Sequence, residues 1–396
     1  MASVRRRVVL LRYTDDHGVG HFLSACVEIG ALADKIGARM IVDFRSHALS
    51  KSLKVTAWPP NAAEWLARQD ACTARASVHG KLPTNGPRAF ATFFDAHASP
   101  AADDGDERVL VVGGPDLPNG SANAVPPNWK LALRGLFDEA REDLRAAAGD
   151  LLARSCRQVV HLRVGDLLSF GFSHQAENVP SDPERVLARC EQLVREQLDA
   201  LPADSKPLVV LSDCAALLRR LREQGDARAL IVDGAPVHCR NEATARGGCG
   251  AVATSSPSSD VTAAADASVA ADGGDEAAAD PATDQETDKG RDRDQGPAPP
   301  LAPLDSVVRD ALVLLGATDI KQFSCYAHGS LFVRLLATVA GASLGRKPLF
   351  SEKRHRCAGV ANEGAKKAKR CARHSPRFAD ADEEGRWYCS AHGGGE

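Results

Sequence analysis

The sequence reads as an α/β protein with two Rossmann-like lobes, and three observations carry that reading. Short apolar runs of strand length recur between helical patterns, which is the βαβ rhythm of a parallel sheet. The 396 residues exceed one usual domain, so two compact units are expected. Hydrophobic residues make up 44% and charged residues 26%, a globular balance that excludes wholesale disorder.

The first lobe is expected over residues 1–156. Val8–Tyr13 forms the opening strand, followed by the loop Thr14-Asp15-Asp16-His17-Gly18-Val19-Gly20-His21. Phe22, Cys26, Ile29, Ala33 and Ile36 then recur at alternating spacings of four and three, one apolar helix face that Gly37 ends. Met40–Phe44 and Val109–Val112 are further strands. The stretch Ser99–Glu107, SPAADDGDE, reads as a surface loop.

The second lobe is expected over 157–350. Val159–Arg163, Leu208–Leu211, Ala229–Val232 and Asp319–Phe323 are its strands. Helices are placed near Pro183–Ala200, Ala215–Glu223, Ser306–Leu315 and Ser330–Ala340. Residues 251–304 interrupt this alternation with Ala, Asp, Ser, Gly and Pro and almost no large apolar side chains. Such a segment cannot bury enough surface to offset its ordering entropy, so a disordered acidic insertion in a surface connection is expected.

The net charge of −3 is an average over unlike parts. Between 251 and 300, eleven acids face Lys289, Arg291 and Arg293, a net of −8 that leaves the rest near +5. Ser351–Arg377 carries about +7. Such a basic stretch suits a nucleic acid, a protein partner or the acidic insertion. No apolar run approaches the roughly 20 residues of a membrane span. The basic start is cut short at Asp15 and Asp16, too early for a signal h-region, so no membrane partner and a cytoplasmic setting are expected. Eleven scattered cysteines point to a reducing compartment rather than a disulfide scaffold.

Three segments carry candidate chemistry. Val159-Val160-His161-Leu162-Arg163-Val164-Gly165-Asp166 puts Arg163 at a strand end, where ligands of open α/β sheets bind. A guanidinium there suits a phosphate, and Asp166 could orient it or receive a ligand hydroxyl. Phe323-Ser324-Cys325-Tyr326-Ala327-His328-Gly329-Ser330 leads a strand through small residues into a helix. Ser330 is a candidate N-cap, and Ser324, Gly329 and Ser330 could cradle an anion. The third is the loop with Gly18 and Gly20. It lacks a third glycine, so it is no dinucleotide fingerprint, but it permits close backbone approach. Asp15, Asp16, His17 and His21 gather titratable groups beside it for general-base work.

Together these segments resemble the fucosyltransferase superfamily of GT-B glycosyltransferases, with the α1,2- and α1,6-fucosyltransferases and the protein O-fucosyltransferases. His161, Arg163, Gly165 and Asp166 are similar to its sugar-nucleotide motif, in the HLR form of the last group. Leu211-Ser212-Asp213 matches its next strand end, and Phe323-Ser324 with Gly329-Ser330-Leu331-Phe332 its late strand-to-helix segment. Gly18 and Gly20 with His21-Phe22-Leu23 look like its glycine loop. His21 stands where the family often has Asn, and Val164 where many members have a second Arg. The resemblance implies GDP-fucose as donor, a glycan or protein hydroxyl as acceptor, inversion, and no metal in the reaction. It implies Arg163 on the pyrophosphate, Ser324 and Ser330 along the phosphates, and Asp213 toward the nucleoside. Arg163, His21 and Asp16 are the catalytic candidates.

Residues 351–396 read as a separate module. Cys357, Cys371, Cys389 and His392 are spaced C-x13-C-x17-C-x2-H, a tetrahedral Zn²⁺ set. So short a segment lacks a core of its own, and metal would provide its folding energy. It is similar to a small Cys/His module found as a tail in some large-DNA-virus and eukaryotic proteins. A different reading of the whole chain is a non-catalytic binding protein whose zinc-binding tail recruits a nucleic acid or protein.

Overall fold

The computed structural model describes residues 6–12, 18–47, 49–73, 77–83, 85–102, 106–114, 117, 125–164, 182–232, 303–325 and 329–350. Two five-stranded sheets organise them.

The first sheet is built from β1 (Arg6–Arg12), β2 (Ala38–Asp43), β3 (Ala57–Trp58), β4 (Ser99–Pro100) and β5 (Glu107–Val112). Its order is β3-β2-β1-β5-β4. β1 is parallel to both β2 and β5, and the two short edge strands are antiparallel. Val8–Leu11 is buried throughout because both faces of a central parallel strand are covered. Val9 and Leu11 face one core, Val8 and Leu10 the other, as the two-residue period requires.

The helices of this half are α1 (Val19–Lys35), α2 (Leu49–Leu53), α3 (Ala63–Arg68), α4 (Asp70–Thr73), α5 (Pro87–His97), α6 (Pro127–Asp138) and α7 (Glu142–Arg154). Phe22, Cys26, Ile29 and Ala33 of α1 are buried as the spacing predicts, and Gly37 leaves the helix at φ +68°. Gly30, inside α1, makes room for Trp129 of α6. A Cβ there would fall 1.7 Å from the indole, whose Nε1 donates to Asp34 (2.9 Å).

The second sheet alternates strictly. β6 (Gln158–Arg163), α8 (Pro183–Asp199), β7 (Leu208–Ser212), α9 (Ala215–Gln224), β8 (Ala229–Ile231), α10 (Pro303–Gly316), β9 (Asp319–Ser324), α11 (Leu331–Ala340) and β10 (Ser343–Pro348) follow one another. All its pairings are parallel, in the order β8-β7-β6-β9-β10. That is the doubly wound pattern, with the chain reversing direction across the sheet between β6 and β9. α8 starts on Asp182, whose carboxylate accepts from the Glu184 N–H (2.9 Å), with Pro183 in the first turn.

One apolar core joins the halves. It runs from Val9 and Leu11 through Phe22 and Ile29 of α1, Leu335 and Leu336 of α11 and Val308 and Leu314 of α10 to Val159, Val209 and Leu211. The far face of the second sheet has its own core, where Leu162, Val210 and Phe323 meet Val186, Leu193 and Leu217. α10 is also pinned by polar contacts. Asp305 accepts from Ser52 Oγ (2.6 Å) and from Arg141 Nη1 (3.1 Å), groups of the first half.

The structure moves three expectations. α10 begins at Pro303 and buries Leu304, so the end of the acidic stretch belongs to a helix. The rest of 251–304 lies outside the described residues. Ser99 and Pro100 pair with β5, and Glu107 is the buried first residue of β5, accepting from Trp65 Nε1 (2.7 Å). The expected surface loop is thus replaced at both ends by sheet. β10 is the third. It is an exposed edge strand without an apolar run, and nothing in its sequence marks it as a strand. Among the described residues, Cys26, Cys156, Cys190, Cys214 and Cys325 are free thiols, and no helix is long and apolar enough to cross a membrane.

Candidate functional site

In a doubly wound sheet the crevice for a ligand opens beyond the carboxyl ends of the strands where the strand order reverses. Here those strands are β6 and β9, and their last residues are Arg163 and Ser324, paired in register. The Arg163 carbonyl accepts from the Cys325 N–H (3.3 Å), and its Nη1 donates to the Gly329 carbonyl (3.1 Å). The guanidinium is thereby tied to the loop that starts α11.

That loop needs its glycine. Gly329 sits at φ +69°, and a Cβ on it would lie 2.8 Å from Gln322 Oε1. Ser330 follows at the N-cap position with extended backbone (φ −90°, ψ 121°) and is nearly buried. The position agrees with the sequence reading, but the hydroxyl makes no capping bond. The first turn of α11 therefore keeps its N–H donors for another acceptor.

The N-terminus of α1 comes to the same place. Gly18 is its N-cap and has no side chain to offer. Its carbonyl accepts from the N–H groups of His21 (2.9 Å) and Phe22 (3.1 Å). A Cβ on Gly20 would stand 2.7 Å from both the Cβ and the backbone nitrogen of Phe332, in the first turn of α11. Only a glycine lets these two helix starts touch. Each start carries roughly half a positive charge, and with Arg163 they form a cationic corner suited to a diphosphate. The structure thus brings together Gly18, Gly20, His21, Arg163, Gly329 and Ser330, which are scattered over more than 300 residues of sequence.

The other sequence candidates take supporting places. Asp213, expected toward a nucleoside, accepts from the Val164 N–H through Oδ1 (2.7 Å) and so fixes the turn leaving β6. Ser212 Oγ donates to the Leu162 carbonyl (2.9 Å) and accepts from the Cys214 N–H (3.1 Å), locking β7 to β6. Ser324 is buried at the end of β9. His161 is buried too. Its burial, with the Arg163 charge nearby, pushes its pKa down to about 3, so it is neutral at physiological pH. Asp16, Gly165, Asp166, Cys357, Cys371, Cys389 and His392 lie outside the described residues. Among the described residues no cluster of three or more His, Cys, Asp or Glu is placed to hold a metal.

The sequence reading passed over Gln322. It pairs in register with His161 on one side and Arg346 on the other, on the sheet face covered by α10 and α11. Both of its amide atoms, and Nδ1 of His161, are buried without a hydrogen-bond partner among the described residues. The signal was available, since Ile320, Gln322 and Ser324 share one face of a strand whose neighbours are apolar.

No protein-family profile matches the chain, and no curated protein matches it in sequence. Among solved structures, the chain is similar to a NodZ α-1,6-fucosyltransferase soaked with GDP-fucose (12% identity, TM-score 0.39, covering 84% of this chain and 92% of that one). A fucosyltransferase NodZ from Bradyrhizobium scores alike (12%, 0.39, 84% and 92%). POFUT1 in complex with GDP is similar at 9% identity and a TM-score of 0.40, covering 87% of this chain and 99% of that one. Likeness at this level does not decide what the chain binds, which rests on its own side chains.

Proposed function

We propose that the chain is a glycosyltransferase that moves fucose from GDP-fucose to a hydroxyl of a glycan or protein, with inversion and without a metal ion. One observation carries the reading. Arg163 and the uncapped starts of α1 and α11 converge where the strand order of the second sheet reverses. A departing nucleoside diphosphate gains negative charge as the glycosidic C–O bond breaks. Fixed positive groups at that corner stabilise the transition state more than the ground state. The acceptor oxygen attacks the anomeric carbon from the opposite side, GDP leaves with the bonding electrons, and the acceptor proton passes to a base. His21, in the first turn of α1, is the base we assign, with Asp16 in the preceding loop as its neighbour in sequence. In this scheme residues 1–156 serve the acceptor, and residues 157–350 hold the sugar nucleotide.

The test is calorimetry with GDP-fucose, together with an assay for fucose release or transfer by the full chain. Arg163→Ala removes a charge-assisted contact of about 1.5–3 kcal/mol, so affinity falls about 10- to 100-fold. Unchanged affinity in that variant removes Arg163 from the donor site. A chain that binds GDP-mannose or a uridine sugar nucleotide better than GDP-fucose overturns the donor.

A further inference from the structure

Beyond the donor corner, α11 and the edge strand β10 carry two arginines that no described residue neutralises. Arg334 lies one turn after Ser330, and its N–H donates to the Ser330 carbonyl (3.1 Å). The side chain is half-buried, and its Nε is fully buried without a hydrogen-bond partner. Arg346 stands exposed on β10, in register with Gln322, on the face that α11 covers. Each arginine lacks an ion pair with any described residue. Burial, with a smaller contribution from the charge of Arg346, disfavours the charge on Arg334. Two like charges that repel each other, neither paired with a described residue, are unfavourable unless an anion joins them. Gln322, the β9 partner of Arg346, is almost wholly buried, and its amide lies against Gly329 at the donor corner.

We propose that Arg334 and Arg346 form a second anion site, which takes a tetrahedral dianion, a phosphate or sulfate group, entering over the β10 edge. Two guanidinium groups supply the charge and the hydrogen-bond donors that such an oxyanion takes. The site is distinct from the donor corner. β9 lies between β10 and β6, so Arg346 stands two strand spacings, about 10 Å, from the strand that bears Arg163. It does not depend on the sugar-nucleotide reading. The dianion is either a free ion or a group borne on a sugar.

The experiment is calorimetry of the full chain with inorganic phosphate and with sulfate at low ionic strength, alone and with GDP at saturating concentration. One phosphate per chain is expected to bind in the presence of GDP and in the Arg163→Ala chain. Its dissociation constant is expected to rise at least tenfold in Arg334→Gln and in Arg346→Gln. Arg346 is exposed and unpaired, so its variant tests the site without endangering the fold, and thermal melting checks the Arg334 variant. Glucose 6-phosphate is compared with glucose in the same titration. Tighter binding than inorganic phosphate assigns the site to a sugar-borne group, and equal binding assigns it to the free ion. Phosphate binding that GDP abolishes, or that Arg346→Gln leaves unchanged, overturns the proposal. A chain that binds no GDP sinks the donor reading alone, because the phosphate titration is still readable.

Discussion

Each sheet reverses its strand order once, and the two reversals are furnished in opposite ways. In the first sheet the crevice lies between β1 and β5, near Arg12 and Gly113. Among the described residues its charges are already spent on one another. Buried Asp43 accepts from Arg45 Nε (3.0 Å) and Nη2 (2.9 Å), Arg12 lies 3.9 Å from it, and Arg45 also reaches Asp70 (2.6 Å). In the second sheet, the corresponding region leaves polar groups of His161 and Gln322 without partners among the described residues. Buried polar groups are normally satisfied, and an unpaired one costs about 1–3 kcal/mol. That cost falls beside the crevice between β6 and β9.

The largest expected effect tests that contrast directly. Arg163→Ala costs about 10- to 100-fold in GDP-fucose affinity. Arg12→Ala, at the equivalent strand end of the first sheet, is expected to change affinity less than about threefold, because its charge is already engaged with Asp43. Equal losses in both variants would mean that the donor spans both crevices.

Stability should show the reverse ordering. Asp43→Ala leaves the Arg45 guanidinium without its two-pronged partner and is expected to cost about 1–3 kcal/mol. At about 2–4 °C per kcal/mol for a chain of this size class, the melting temperature falls by several degrees. Gln322→Met removes two buried polar atoms that make no hydrogen bond, and is expected to leave the melting temperature level or raise it. A large loss in the methionine variant would show that the amide is satisfied in solution, and the contrast would fail.

The meeting of the two helix starts can be broken at one atom. Alanine is the better helix former by about 1 kcal/mol, so Gly20→Ala would strengthen an isolated α1. Its Cβ would nevertheless press on the Phe332 backbone at 2.7 Å, where no flexible side chain can yield. A net loss of about 1–3 kcal/mol is expected from this overpacking, with weaker GDP-fucose binding as the helices separate. A variant more stable than the parent would show that α1 and α11 do not touch there.

Much of this geometry was legible before any coordinates, for a definite reason. Strands such as Val8–Leu11 and Leu208–Leu211 are buried on both faces, so they leave unbroken apolar runs. Arg163, Gly329 and Ser330 sit at strand and helix ends that those runs mark. What stayed hidden depends on contacts across the chain. Nothing near Asp213 tells that it accepts from Val164, 49 residues away. Glu107 reads as part of an acidic loop because its partner, Trp65, lies 42 residues upstream. β10 is mostly exposed and, among the described strands, pairs with β9 alone, so it carries no apolar period.

A final contrast lies in the proton that His161 refuses. An unfolded histidine titrates near 6.5, whereas burial beside Arg163 holds the folded one to about 3. As pH falls through that window the unfolded chain takes up a proton that the folded chain does not. Stability therefore declines on acidification, with a slope approaching about 1.4 kcal/mol per pH unit, and this contribution is flat above about 6.5. Asp310 works the other way. Burial raises its carboxyl to about 6 against the pull of Arg309, so the folded chain holds a proton there before the unfolded one does. Subtracting the His161→Gln variant from the parent cancels Asp310, since both proteins keep it. The difference measured by denaturant unfolding should rise with pH between about 3 and 6.5 and then level off. A difference that stays flat would mean that the folded imidazole titrates normally. It would then have found water or an acceptor, and the second crevice would be as well satisfied as the first.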